Sequence, residues 1–182
     1  MTPRSPFFRR IRDWLRDDES GNATIEFVMV VPIFFLMFAS SMETGIHSIR
    51  QVLLDRALDM TVRDVRVGFL PNPTHDELTE RMCEYALIIP SCAQDVRLEM
   101  IVADPRAWVS IPNAVSCRDR EEENPPEITL QNGANNELMI LRACVLFDPV
   151  LPGGGIGRKI EGTKGTGYAI TSTLAYVLEP YQ

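Results

Sequence analysis

Four cysteines and two histidines are the side chains here with which nucleophilic or metal chemistry would start, and their spacing supports neither. Cys83, Cys92, Cys117 and Cys144 include no Cys-x-x-Cys pair, and His47 and His75 lie far from any metal-ligand spacing. Nothing marks a set of nucleophile, base and orienting group. The glycine-rich stretch Pro149 to Gly167 contains neither Gly-x4-Gly-Lys-Ser/Thr nor a helix start, so it is not read as a phosphate loop. No enzyme, cofactor, metal or small-molecule substrate is expected. A net charge of −7 also argues against nucleic acid, which needs a basic face.

The cysteines can cross-link instead. All four lie in the C-terminal three-quarters of the chain, an even number, as suits an oxidising compartment. Cys83 and Cys92 are close in sequence across a helix end and Pro90. Cys144 falls in an apolar run that reads as a central strand and can anchor only a segment crossing the sheet, such as the long loop bearing Cys117. The expected pairs are therefore Cys83–Cys92 and Cys117–Cys144.

The remaining residue with chemistry to explain is Glu26. It stands just before Phe27 to Met42, sixteen positions without a charge, and a carboxylate at the mouth of a membrane helix costs free energy unless it snorkels or is paired. A segment from Asn22 to Glu43 is long enough to cross a bilayer core of about 30 Å. Pro32 inside it is tolerated better in membranes than in water. Arg4, Arg9, Arg10, Arg12 and Arg16 precede it and place the N-terminus in the cytoplasm by the positive-inside rule, with the acidic remainder outside.

Beyond the apolar run, Ile46, Ile49, Leu53, Ala57, Leu58, Val62, Val65 and Phe69 recur at helical spacing, while Arg50, Asp55, Arg56, Asp59, Arg63 and Asp64 occupy the other positions. One continuous helix over 22–68 is expected, ended by Pro71 and Pro73. Thr74-x-x-Glu77 has the form of a capping box for a second helix that stops before Pro90. Val96 to Ala103 alternates as a half-exposed strand, Leu138 to Phe147 suits a central strand, and Tyr168 to Leu178 puts Tyr168, Ile170, Leu174, Tyr176 and Leu178 on one side. Trp108, Tyr176 and Tyr181 are expected to pack in core or sheet. Glu43 and His47, one turn apart, are expected on a solvated helix face. The fold class is α+β: a single N-terminal transmembrane helix extending into a long amphipathic helix, packed against a small antiparallel sheet with two disulfides.

Leader, Gly21, and a glutamate five residues after the glycine heading an apolar helix resemble the processing pattern of type IV prepilins. The short charged leader, the Glu26-Phe27 pair, Pro32 and the second acid Glu43 are similar more particularly to the TadE-like minor pilins or pseudopilins of the tight-adherence (Flp) pilus. The resemblance is strong over residues 9–46. Further on, Cys-Glu-Tyr-Ala at 83–86, Pro-Ser-Cys at 90–92 and Asn-Glu-Leu-Met at 136–139 are similar to TadE-like ectodomains and less specific.

The resemblance implies three parts: a cytoplasmic leader over 1–21, a transmembrane helix over 22–43 and an extracytoplasmic pilin-like domain over 44–182. It implies a bacterial inner-membrane protein with a periplasmic or pilus-borne domain. A prepilin peptidase would cut between Gly21 and Asn22, and Glu26, beside Phe27, would pair with the N-terminal amine of a neighbouring subunit. Other pilus subunits and the assembly platform would be the partners, in adhesion and biofilm formation. Asn22 and Thr24 are more polar than the alanines usual there. The rival reading is a secreted or membrane-anchored extracytoplasmic binding protein unrelated to pili, with Ala39-Ser40-Ser41 as a small-residue patch for signal peptidase.

Overall fold

The computed structural model describes residues 22–87, 89, 91–104, 106–107, 117, 130–150 and 167–180. Helix α1 (Asn22–Val67) is 46 residues long and includes Pro32, so it extends about 69 Å at 1.5 Å per residue. It ends before the prolines expected to end it. Gly68 takes φ 87° and donates its N–H to Val65 O (3.2 Å), while Phe69 N–H reaches Asp64 O (3.0 Å). This left-handed glycine closure satisfies two terminal carbonyls, and a β-carbon at Gly68 would oppose it.

Helix α2 (His75–Tyr85) starts at the capping box read from the sequence: Thr74 Oγ accepts Glu77 N–H (3.3 Å), and Glu77 Oε2 accepts Thr74 N–H (2.8 Å). The backbone and hydroxyl hydrogen bonds from Thr74 hold the Glu77 carboxyl below its ordinary value. Its contribution to stability is thus present above the unfolded carboxylate value and lost as pH falls through the lowered one. A short α3 (Cys92–Asp95) leads into the sheet, which comprises β1 (Arg97–Ala103), β2 (Leu138–Phe147) and β3 (Tyr168–Val177). Gly167 precedes β3 at φ 100°, where an added β-carbon would lie 2.5 Å from Phe147 O, so this close approach requires glycine.

The sheet is antiparallel with order β1-β2-β3, and the apolar run over 138–147 is the central strand. Registers Leu98↔Ala143↔Ser172 and Met100↔Leu141↔Leu174 align the inner face. That face buries Leu98, Met100, Leu141, Val145 and Ile170 against Leu54, Ala57, Leu58, Val62 and Val65 of α1 and Leu78 and Met82 of α2, in one cluster. Gln51 meets the start of β3 at Thr171 and Arg66 meets its end at Glu179, so β3 runs alongside α1 in the same direction.

Several details depart from the expected pattern. The buried row of α1 is centred on Leu54, Leu58 and Val65, because the sheet covers that side; Ile49 (57% exposed) and Phe69 (75%) lie outside it. Arg50 is half-buried on the sheet side and Asp64 is buried, so neither belongs to a solvated face. On β1, Arg97 and Ile101 are buried along with Leu98 and Met100, which makes the strand covered on both faces over much of its length rather than half-exposed. Part of the cover is covalent. Cys117 is bonded to Cys144, whose side chain alternates onto the outer sheet face. Trp108, Tyr181 and the loop residues 151–166 lie outside the described residues.

Candidate membrane and assembly site

The expected site residues fall at the start of α1. Gly21 lies outside the described residues, and Asn22 is the first residue of the helix. Glu26 projects exposed in the second turn with no hydrogen bond or ion pair among the described residues, and Phe27 beside it is 65% exposed. From Ile25 to Phe38 the large apolar side chains other than the half-buried Val31 are exposed, on all sides of the helix. An 18-residue window here reaches a mean hydropathy of 2.1 with none of it buried in the protein. A helix apolar all round, with its backbone bonded internally, is stable only in an apolar surrounding. This segment is a candidate membrane anchor.

Where the apolar segment ends, the folded domain begins, and the junction is built from residues the sequence does not mark. Glu43 is only 2% exposed, and both its carboxylate oxygens accept Val150 N–H, at 3.1 and 3.2 Å. The solvated face expected for Glu43 and His47 is therefore incorrect: the mouth of the β2–β3 connection is docked there. His47 lies against the Tyr168 ring, with centroids 5.1 Å apart. One turn further, Arg50 donates to Asp148 O (3.0 Å) and to the Tyr168 hydroxyl, with its guanidinium 4.8 Å from the Phe147 ring centre. A planar cation stacked on one ring and bonded to a carbonyl and a phenol has little freedom left. These contacts join the start and end of the β2–β3 loop to α1 where it leaves the apolar segment. The signal for Arg50 was its spacing, four residues before Leu54, which puts it on the buried row.

A second polar cluster closes the far end of α1. Asp64 accepts from Arg81 Nε (2.6 Å) and the Tyr85 hydroxyl (2.8 Å), and Arg81 also holds Glu84 (2.5 Å). The hydrogen bond to Asp64 is the largest cause raising the Tyr85 phenol above its ordinary value of 10, with burial next. Ionisation would lose that bond and set two anions together. The contact is thus fully present below the unfolded phenol value and lost as pH rises through the raised one. An absorbance titration of the phenolates should show a late-titrating component that disappears in Tyr85→Phe and moves to lower pH in Asp64→Asn; a Tyr85 titrating with the free phenol contradicts this geometry.

Among the described residues no group of three or more His, Cys, Asp or Glu could hold a metal ion. The cysteines form the two expected cross-links, Cys83 with Cys92 and Cys117 with Cys144, with Cα separations of 5.7 and 5.1 Å. The arrangement offers a lipid-compatible helix headed by one carboxylate, a clamped junction and a cross-linked domain.

Compared with known proteins, residues 21–63 match the family model described as TadE-like protein. No curated protein and no solved structure matches the chain. The matched segment begins at Gly21, contains Glu26, Phe27, Glu43 and Arg50, and runs on to where α1 lies against the sheet. The likeness to the TadE-like family thus covers residues 21–63, the apolar segment and the part of α1 that leads into the folded domain.

Proposed function

We propose that the protein is a minor pilin or pseudopilin of a bacterial Flp-type pilus, needed for pilus assembly in adhesion and biofilm formation. It is a single-pass inner-membrane protein with a cytoplasmic leader over 1–21, a span over 22–43 and an extracytoplasmic domain over 44–182. The observation that carries the reading is the division of α1. Its first half is bare, apolar and headed by Glu26, unpaired among the described residues, within the TadE-like segment; its second half is a wall of a disulfide-linked domain. Disulfides suit the oxidising side of the membrane.

In this reading a prepilin peptidase cuts between Gly21 and Asn22, and glycine lets the enzyme approach the backbone. The amine freed at Asn22 is the cation that Glu26 of a neighbouring subunit pairs with once both leave water, and that pairing selects helix register. Other pilus subunits and the assembly platform are the partners.

Two measurements test this. The membrane-bound product should begin at Asn22 on N-terminal sequencing; a start near residue 42 favours a secreted binding protein instead. Glu26→Gln should impair piliation while leaving the unfolding of the domain unchanged, since Glu26 has no hydrogen bond or ion pair among the described residues. Normal piliation in Glu26→Gln would remove the charge-paired register.

A further inference from the structure

The end of β2 descends along α1 toward the apolar segment. Strand β3 runs beside α1 in the direction away from that segment, so β2, antiparallel to it, runs toward it. Asp148 O accepts from Arg50, and two residues later Val150 N–H is held by both oxygens of Glu43. Glu43 lies seven residues before Arg50, about 10 Å lower on the helix. It adjoins Met42, where the apolar run ends. Val150 is 48% exposed at this level. Lengths then fix what it faces. The hydrocarbon core of a bilayer is about 30 Å thick and takes about 20 helical residues, here 23–42; the headgroup regions bring the whole to about 40–45 Å, so each adds about 5–7 Å, or about four residues of helix. Measured along α1, Glu43 and the turn after it stand in the headgroup layer, and Val150 stands there with Glu43. Tilting the helix lowers these residues further. Withdrawing it would set the exposed Phe38 and Met42 in water.

We propose that the mouth of the β2–β3 connection is a second membrane contact, with Val150 seated in the phospholipid headgroup layer on the domain's side of the bilayer. The contact is continuous with the bare apolar segment, which ends one residue before Glu43. A carboxylate at the edge of the hydrocarbon costs free energy unless its oxygens are bonded. Glu43 is 2% exposed, and Val150 supplies its N–H to both oxygens. Val150 therefore serves the junction twice: its main chain satisfies the acid, and its side chain presents an apolar surface where headgroups meet acyl chains. The exposed Asp148, held at the level of Arg50, stays on the water side of the layer. The partner is lipid, because the helix that sets the level of Val150 is the one that crosses the membrane. This inference rests on α1 being a membrane anchor and not on the pilus reading.

The test is depth-dependent fluorescence quenching of the full chain in vesicles of phosphatidylethanolamine and phosphatidylglycerol. Val150→Cys, Ile33→Cys and Glu80→Cys each carry one small fluorophore on the introduced thiol, with Cys83–Cys92 and Cys117–Cys144 mapped as native pairs in every sample. Val150→Cys keeps the main-chain N–H that Glu43 holds. Ile33 is exposed midway along 23–42, whereas Glu80 is exposed on α2 beside Arg81, which binds Asp64, 21 residues and about 30 Å beyond Glu43 on α1. The label at 150 should be quenched more strongly by phospholipid carrying a nitroxide on its headgroup than by phospholipid carrying it deep in the acyl chain. The label at 33 should show the reverse preference, and the label at 80 should be quenched by neither. Quenching at 33 with none at 150, or equal quenching at 150 and 80, overturns this proposal and leaves the anchor standing. Quenching at neither 33 nor 150 overturns it together with the anchor.

Discussion

Leu58→Ala should destabilise the folded domain by about 2–5 kcal/mol, a large share of the roughly 5–15 kcal/mol of net stability usual for a single domain. Leu58 is 0% exposed and packs in the cluster that joins α1 to the inner face of the sheet. Truncation removes its transfer free energy and leaves a cavity that neighbours held by strand register cannot fill. Ile49→Ala, two and a half turns earlier on the same helix but 57% exposed, should change the unfolding of the monomer by less than about 0.5 kcal/mol. Urea unfolding in detergent, followed by near-ultraviolet circular dichroism, separates the two. Equal effects would mean that α1 is not a wall of the core at residue 58.

That contrast marks how far the sequence can be read. Composition and spacing reveal the long helix, the capping box at Thr74 and Glu77, the central strand and both cysteine pairs, because each depends on local pattern or on a few residues whose options are narrow. Periodicity also shows that α1 has a buried row. It does not locate that row accurately: Ile49 and Leu54 are equally apolar, and only the position of the sheet decides which is covered. Local pattern says least about the polar residues. Glu43 and Arg50 read as surface charges, since a charge is usually solvated, and only the arrival of Val150, Asp148 and Tyr168 from about 100 residues away satisfies them. Asp64 is the same case, its partners Arg81 and Tyr85 being supplied by α2.

The Glu43 and Arg50 contacts also change what α1 is for. Had the domain first met the helix at Leu54, about three turns of bare helix would separate it from the apolar segment. Contacts at Glu43, His47 and Arg50 remove that spacer, so the ends of β2 and β3 are fixed to α1 from the turn where the apolar segment ends. The uncovered half of the same turns is the face that carries Ile49 and Val52.

Removing the Cys117–Cys144 cross-link should cost more than removing Cys83–Cys92. The two bonds close segments of 27 and 9 residues, and the chain-entropy argument assigns them about 3–4 and about 2.5–3 kcal/mol. Packing widens the difference, because Cys144 is 0% exposed in the central strand while Cys83 is only half-buried on α2. The pairing follows from the faces of the sheet. Helix α2 packs with Leu78 and Met82 on the inner side, whereas Cys144 alternates to the outer side, so a bond from Cys83 to Cys144 would have to pass through β1 and β2. Cys117 meets Cys144 without that crossing. Comparing Cys117→Ala/Cys144→Ala with Cys83→Ala/Cys92→Ala by denaturant unfolding should give the larger loss for the first. The reverse order, or a non-reducing peptide map joining residue 83 to 117 or 144, would place the outer segment on the wrong side of the sheet.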